Sequence, residues 1–396
     1  MTPLVLALAL TAPPGQRGLF TATGTGDETH TGVLKAVTLS FAEVDTLGGP
    51  KMVTGLVSVR RSDKPLPALP VGAQLVTAGG DRIPGTVNGG DAKVIQFRPV
   101  LGGEDWPIAL DAVAAVWLTA QPADTPADPA KYTWLTGTPP RDVLHYRNGD
   151  AVRGVLGGFT ATGVKFTPDG GAAREVPLID LAAVGFNPRF ARARKPKGPY
   201  AHLVLTDGTR LDATELAVKG NAIVAKALCG PAVEVPFSKL ASLDVLQGSA
   251  VYLSDLKPKK AETTGFLGDG WPWVADRTVR GHPLRLHTKD GETTCDKGLG
   301  THPKTVLTYD LAGKYTRFEA LVGLDVATGK RGRADVRILL DGKEVALPDL
   351  KALAAGPAVA VRVDVRGAKE LTLVVDFGPT GDVQADVNWG DARLVE

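Results

Sequence analysis

The chain has 396 residues, of which 43% are hydrophobic and 22% charged, and 45 basic residues balance 43 acidic ones to a net charge of +2. This composition excludes wholesale disorder, and the near-neutral charge gives no reason to expect nucleic acid or an anionic membrane as a partner. The length predicts two or three domains, and the 47 glycines and 29 prolines favour many short strands joined by turns. We therefore expect an all-β protein.

The first 16 residues resemble the hydrophobic part of a secretory signal. Pro3 to Ala12 is an apolar run that ends in small residues, although no Lys or Arg precedes it. Ten apolar residues are too few to span a bilayer, so membrane insertion is not expected. The segment 1–16 predicts an exported protein that is secreted, periplasmic or held at the cell surface.

An internal repeat occupies the next 230 or so residues and predicts four small β units, at 17–60, 73–119, 141–187 and 200–247, the first of them degenerate. Two anchors support the second and third copies, because Asp150 follows Asp81 by 69 positions and Leu178 follows Leu110 by 68. The fourth copy follows at 58 to 59 positions, from Asp150 to Gly208 and from Leu178 to Phe237. Agreement at both anchors makes coincidence an inadequate explanation.

Each copy predicts a meander that begins with a β-hairpin. Asp207-Gly208 is typical of the tight turn between two strands, since it tolerates positive φ. Proline in the piece 176–178 places that piece at a sheet edge or a strand start. The following residues, 181–184, fit either a 3₁₀ turn or a final strand. Five short strands in each copy predict a small Sm-like β-barrel or a two-layer β unit that packs against its neighbours.

Three segments separate the copies. Residues 62–70 are proline-rich and extended. Residues 122–140 carry Tyr132 and Trp134, which would be unusually exposed in a free linker, so we expect this segment to dock on a barrel. The basic run 189–197 could hold phosphate, but the absence of interleaved aromatics favours a solvated loop.

Residues 296–303 are the most distinctive local pattern in the last third. Gly298 and Gly300 permit positive φ, and Pro303 disfavours the helical region for His302. We expect a shaped loop, not a clean strand, at the mouth of a strand that begins near Val306, with Thr301 and His302 facing a ligand. A tight turn with a hydrogen-bonded histidine is the alternative.

From Val251 onward the chain resembles the NPCBM family of carbohydrate-binding modules found attached to glycoside hydrolases, including glycosyl hydrolase family 98. The resemblance rests on motifs in the family's order, at residues 252–256, 281–284, 297–302, 309–311, 317–318, 322–325, 341–343, 370–375 and 388–392. It implies a galactose-binding-like jelly-roll β-sandwich at 250–396, with a saccharide or another surface ligand at loop ends.

Five residues of this region are predicted to bind ligand. Sugar rings lie on aromatic faces, which suggests Trp271 and Trp273 in a glycine-rich loop and Trp389, although each could instead belong to the core. His302 and Asp325 are the predicted readers of hydroxyl groups. Asp325 could also bind Ca²⁺, but the loop that follows is basic and disfavours it, so no cofactor is expected.

Other chemistries find little support. The two cysteines, Cys229 and Cys295, exclude a disulfide framework, and the six histidines show no metal-ligand spacing. Nucleophile-elbow, P-loop and zinc-protease motifs are missing from the sequence. We predict a non-enzymatic protein that binds a glycan or polysaccharide. The alternatives are a structural or protein-binding module of the cell surface, and a glycoside hydrolase-associated enzyme with an unrecognised site.

Overall fold

The computed structural model describes residues 18–26, 28–122, 125–126, 128–135, 137–266 and 268–396. The predicted signal segment, 1–16, lies outside these residues. The described chain is almost entirely β, with a few short 3₁₀ turns, as the composition predicts. Within it, no helix has the length and apolar character needed to cross a bilayer.

Four groups of strands precede residue 247. They are β1 (Leu19–Thr23), β2 (Thr29–Val37), β3 (Phe41–Thr46), β4 (Gly49–Thr54), β5 (Ser58–Arg61); β6 (Gln74–Thr77), β7 (Arg82–Gly90), β8 (Val94–Pro99), β9 (Trp106–Ala109), β10 (Val113–Trp117); β11 (Asp142–Tyr146), β12 (Ala151–Phe159), β13 (Gly163–Pro168), β14 (Arg174–Pro177), β15 (Leu181–Gly185); and β16 (Tyr200–Leu205), β17 (Arg210–Lys219), β18 (Ala222–Ala227), β19 (Ala232–Pro236), β20 (Leu240–Leu246).

Each group is an antiparallel meander whose fifth strand returns to pair with its first. In the third group, for example, β11–β12, β12–β13 and β13–β14 pair in turn, and β15 returns to β11. The proline-containing strand β14 pairs with β13 at the edge, and the 3₁₀ turn Leu178–Asp180 joins it to β15. Of the two alternatives for residues 181–184, the final strand is therefore confirmed, and the 3₁₀ turn precedes it.

The second strand of every group contains a β-bulge. The bulges lie between Leu34 and Ala36, Val87 and Gly90, Leu156 and Gly158, and Thr214 and Ala217. A bulge increases the local twist and bends the long strand, which helps a five-stranded sheet to curl around its own core. The strands β7 and β12 begin at Arg82 and Ala151, and 151 − 82 = 69 matches the sequence offset. The unit boundaries themselves stay predictions.

The fifth strands also join the groups in pairs. Strand β10 pairs with β15, and β5 pairs with β20, so the second group contacts the third and the first contacts the fourth. The 122–140 segment covers the first of these junctions. Tyr132 is 1% exposed and packs edge-on against Trp117, while Trp134 stacks on Tyr132. The expected docking of this segment is confirmed.

The remaining strands form a β-sandwich. They are β21 (Ala250–Tyr252), β22 (Lys260–Thr263), β23 (Val274–Ala275), β24 (Leu284–Thr288), β25 (Gly291–Cys295), β26 (Gly298–Thr301), β27 (Thr305–Asp310), β28 (Arg317–Leu324), β29 (Arg333–Leu340), β30 (Lys343–Glu344), β31 (Leu353–Ala354), β32 (Val359–Asp364), β33 (Glu370–Phe377) and β34 (Val387–Val395).

Two antiparallel sheets of the sandwich enclose one apolar core. One sheet runs β23-β26-β34-β28-β32 and the other runs β22-β27-β33-β29-β30, while β24 and β25 form a separate hairpin. Trp389, Phe318 and Tyr309 are the large side chains at the centre, each at most 1% exposed. The predicted all-β sandwich is confirmed.

The expectation that Gly298 and Gly300 would prevent a clean strand is wrong, because both belong to β26. A Cβ on Gly298 would lie 2.2 Å from the Trp389 carbonyl oxygen, and one on Gly300 would lie 2.2 Å from that of Arg277. The glycines therefore permit close approach of backbone on both sides of the strand, more than they shape a loop.

The strand groups and the sandwich share buried polar contacts. Arg317, 3% exposed, donates to the carbonyl oxygens of Gly24 and Gly26 at 2.9 and 3.0 Å. Arg210, 2% exposed, donates to Asp296 at 2.9 Å from the opposite side. Because such charges are costly to bury alone, each half of the chain supplies partners that the other half needs.

Candidate functional site

A rim of the sandwich carries the exposed tryptophan. The loop between β22 and β23 contains Trp271 and Trp273. Trp271 is 44% exposed. Trp273 is half-buried and packs against the sandwich core. This loop therefore offers one aromatic surface to solvent and uses the other to anchor itself.

Two cationic or ionisable groups hold the Trp271 ring. Its centroid lies 5.9 Å from that of His302, with the rings 28° from parallel. The Arg280 guanidinium carbon lies 5.0 Å from the ring centroid, at the distance of a cation–π contact. These contacts restrict the ring, so a ligand that stacked on it would order fewer side-chain rotations.

His302 follows β26 directly and is 6% exposed. Its Nδ1 donates to the carbonyl oxygen of Pro303 at 2.7 Å, which leaves Nε2 directed at Asp386 Oδ1, 3.5 Å away. Thr301, predicted to face a ligand, is 1% exposed and donates to the carbonyl of Val387. His302 thus lies beneath Trp271 as a buried support, with its imidazole edge towards a carboxylate.

Asp386 connects the surface to the interior. It is 1% exposed, and its Oδ2 accepts a hydrogen bond from Arg280 Nε at 2.8 Å. Its backbone carbonyl accepts from the Asp325 amide at 2.9 Å. Arg280 is therefore oriented from below by a buried carboxylate while its upper side remains open to solvent, at 46% side-chain exposure.

Asp325 and Asn388 lie beneath Arg280 and Asp386. The Asn388 side-chain amide donates to Asp325 Oδ1 at 3.2 Å, and both residues are at most 2% exposed. Burial raises the pKa of the Asp325 carboxyl, and the neighbouring Asp386 carboxylate adds to the rise.

Three buried oxygens of Asp325, Asp386 and Asn388 have no hydrogen-bond partner within the described part of the chain. They are Asp325 Oδ2, Asp386 Oδ1 and Asn388 Oδ1. All three atoms are acceptors, so these residues present more acceptors than donors. A hydroxyl group or a water molecule could donate to them. Among the described residues, no group of three or more His, Cys, Asp or Glu side chains is placed to hold a metal ion.

The five predicted site residues fall into four positions. Trp271 is exposed, His302 and Asp325 are buried in the same contact network beneath it, and Trp273 supports the loop. The prediction that Trp389 faces a ligand is wrong. Its side chain is completely buried and its indole Nε1 donates to Thr301 Oγ1 at 3.2 Å. A ring sealed in the core has no face left for a sugar.

Sequence reasoning missed Arg280, Asp386 and Asn388. They lie on two segments up to 108 positions apart (388 − 280), and nothing local marks Arg280 as a polar site residue. The alternation of Asp386 and Asn388 just before Trp389 was the available signal, since residues two apart share a face in extended chain.

Comparison with known proteins places this sandwich in a family. Residues 249–395 match the model of the NPCBM/NEW2 domain. This segment is an NPCBM domain. The resemblance seen in the sequence is thus confirmed for the last third of the chain, and residues 18–247 lie outside the match.

Individual relatives align with the NPCBM domain over part of their length or of this chain. A protein of Renibacterium salmoninarum, provisionally named endo-alpha-N-acetylgalactosaminidase, is 30% identical over 152 residues, which are 36% of this chain and 9% of that protein. The chain therefore spans less than a tenth of the length of this curated relative.

Two solved structures from Clostridium perfringens are also similar. The CBM51 module of GH95 in complex with methyl-galactose is 28% identical, with 37% of this chain and 99% of that chain covered and a TM-score of 0.33. The CBM51-2 and INT domains of ZmpB in complex with GlcNAc are 27% identical, with 46% and 38% covered and a TM-score of 0.34.

Proposed function

We propose that this protein binds carbohydrate without transforming it, at a site we name the Trp271 rim. The rim consists of Trp271 and Arg280 at the surface, with His302 and Asp386 directly beneath. The single observation that carries the proposal is an exposed tryptophan ring in contact with a histidine and an arginine in an NPCBM domain.

The chemistry of the rim suits a sugar ring. The exposed indole surface of Trp271 offers an apolar contact for the C–H face of a pyranose. Arg280 supplies N–H donors beside it, and Asp386 keeps that guanidinium in position. The contact area is small and open, so we expect weak binding through one or two rings, strengthened when several modules engage one polymer.

The buried acceptors below Trp271 offer a ligand hydrogen bonds in addition to the stacking contact. Asp386 Oδ1 is the nearest to the rim, since it faces the imidazole that supports the ring. A ligand hydroxyl or a bridging water that reached it would satisfy a buried oxygen that is otherwise unpartnered. Export to the periplasm or cell surface, where polysaccharides are abundant, belongs to the same proposal.

Substitution of Trp271 by Ala tests the proposal. The full-length protein is screened on a glycan array, and the best ligand is titrated by calorimetry. We expect Trp271→Ala to weaken binding at least tenfold, about 1.4 kcal/mol, because the stacking surface is removed. Phe190→Ala is the control, since Phe190 is a still more open aromatic, 67% exposed, outside the NPCBM domain.

Two results would contradict the proposal. Equal affinity of the Trp271→Ala variant and the unaltered protein would exclude the rim as the binding surface. Release of reducing ends or of free sugar from the bound glycan by the purified protein would show that the chain is an enzyme.

A further inference from the structure

A second cavity lies away from the Trp271 rim, where the strand groups meet the NPCBM domain. We name it the junction cavity. Its volume is about 370 Å³, within the range of sites that hold small molecules. Its lining includes the β6–β7 turn, the strands β16 and β17, the segments around Lys131 and Lys195, and the NPCBM segments around Asp276 and Asp296.

Two carboxyl groups form the part of the wall that belongs to the strand groups. Asp81 is 4% exposed, and its oxygens accept from the Asp212 amide at 2.8 Å and from Thr77 Oγ1 at 3.1 Å. Burial raises the pKa of Asp81 to about 7, and the Asp212 carboxylate contributes to the rise. The Asp81 carboxyl group is thus fixed in place and can be neutral or charged near neutral pH.

His202 and Arg210 link this wall to the NPCBM domain. His202 Nδ1 lies 2.7 Å from Asp212 Oδ1 and its Nε2 lies 3.3 Å from Asp296 Oδ2, which Arg210 Nε also contacts at 2.9 Å. These side chains satisfy one another and are fixed from both sides. A ligand would therefore meet a preformed polar wall, with Tyr200 and Leu246 as its less polar part.

Two lysines at the cavity are not neutralised. Lys131 and Lys195 line it and are exposed, and neither has an ion-pair partner among the residues that the structure describes. By contrast, Lys297 on the NPCBM wall contacts both Asp255 and Asp276, at 2.7 and 2.8 Å. The cavity lining therefore combines two exposed lysines with the buried carboxyl groups of Asp81 and Asp212.

We propose that the junction cavity binds an anionic sugar unit, with its acidic group at Lys131 and Lys195 and its hydroxyls on Asp81 and Asp212. We infer an acidic sugar because exposed lysines and buried aspartates line the same cavity. Lysine ammonium groups recognise a carboxylate or sulfate ester, while buried aspartates accept hydrogen bonds from neighbouring hydroxyls. The site is independent of the Trp271 rim, because no residue belongs to both.

The test is calorimetry on the full-length protein with four probes. Galacturonic acid and galactose 6-sulfate carry the two anionic groups, galactose is the neutral parent, and inorganic sulfate is an anion without hydroxyls. We expect saturable binding of at least one acidic sugar, at least tenfold tighter than that of galactose and of sulfate. The stronger of the two acidic probes identifies the group that the lysines prefer.

Lys131→Ala combined with Lys195→Ala is expected to weaken that binding at least tenfold. Both side chains are exposed, so the variant keeps its fold, which thermal melting checks. Lys314→Ala combined with Lys343→Ala is the matched control, because it removes two exposed lysines elsewhere. Trp271→Ala must leave the acidic sugar bound, which separates this site from the rim.

Three outcomes would overturn the junction site. They are equal binding of galactose and both acidic probes, unchanged binding in the variant that lacks Lys131 and Lys195, and loss of the acidic sugar in Trp271→Ala. The last would assign the acidic ligand to the rim.

Discussion

At the scale of single residues, Trp271 and Trp389 show that the same side chain has two roles in the NPCBM domain. One ring is 44% exposed over His302, and the other is completely buried with its N–H on Thr301. The same side chain thus provides a contact surface in one place and a core in the other. Burial, and not residue type, decides which of the two can meet a ligand.

The role assigned to Trp389 predicts a change in stability without a change in affinity. Trp389→Phe removes the hydrogen bond to Thr301 Oγ1 and leaves a void where the second ring was. We expect the free energy of unfolding to fall by roughly 1–3 kcal/mol. The affinity for the rim ligand should stay within twofold. Urea denaturation and calorimetry measure the two quantities, and a tenfold loss of affinity in a folded variant would contradict a purely structural role.

At the scale of the strand, β26 shows how glycine can build a sheet where it was expected to interrupt one. Gly300 has ordinary backbone geometry, yet a Cβ there would lie 2.2 Å from the Arg277 carbonyl oxygen and 2.6 Å from Thr278 Cα. The neighbouring chain occupies the place of the side chain. This close approach positions His302, which follows at the end of the strand, under Trp271.

Gly300→Ala is therefore expected to destabilise the protein. The added methyl meets backbone atoms that cannot rotate away, so β26 or the segment 276–278 must shift, at a cost of about 1–3 kcal/mol. Gly198→Ala serves as the control, because nothing lies within 4 Å of its Cβ. Urea denaturation measures both. Equal stability of the two variants would show that the strand tolerates the methyl and that the steric argument fails.

Particular residues show how far the sequence predicts this structure. Asp-Gly turns and equal spacings revealed the strand groups because turn chemistry and alternation are local. The NPCBM motifs predicted the sandwich for the last third. The rim itself depends on contacts such as Arg280 with Asp386, 106 positions apart, and only strand pairing brings these together. The loop predicted at the glycines of β26 was wrong for the same reason, since the backbone that these glycines accommodate comes from distant segments.

At the scale of the whole molecule, Asp296 joins the strand groups to the NPCBM domain. Burial alone would raise the pKa of its carboxyl, but Arg210 and His202 outweigh this and hold the pKa well below the usual range. The contribution to stability is therefore present above the ordinary carboxyl pKa, near 4, and is lost as the pH falls below it.

Asp296→Asn should weaken the contact between the strand groups and the NPCBM domain. It should also make the free energy of unfolding depend less on pH in the acid range. The variant leaves the buried Arg210 without its charged partner, and we expect the free energy of unfolding to fall by about 3–5 kcal/mol. Between pH 6 and pH 3 the unaltered protein should lose more stability than the variant. Denaturant titrations at both pH values measure this, with Asp364→Asn, an exposed ion-pair residue, as the control. Parallel pH profiles would contradict the assignment.

The pairing of β5 with β20 has a consequence for how the chain is made. Ser58 lies opposite Asp244, so the first strand group finds this neighbour only after some 186 further residues (244 − 58) have been synthesised. Closing so long a loop is slow, because contacts distant in sequence form late. During translation, that edge of β5 stays without its partner strand until β20 has been made, and an unpaired strand edge can pair with other chains.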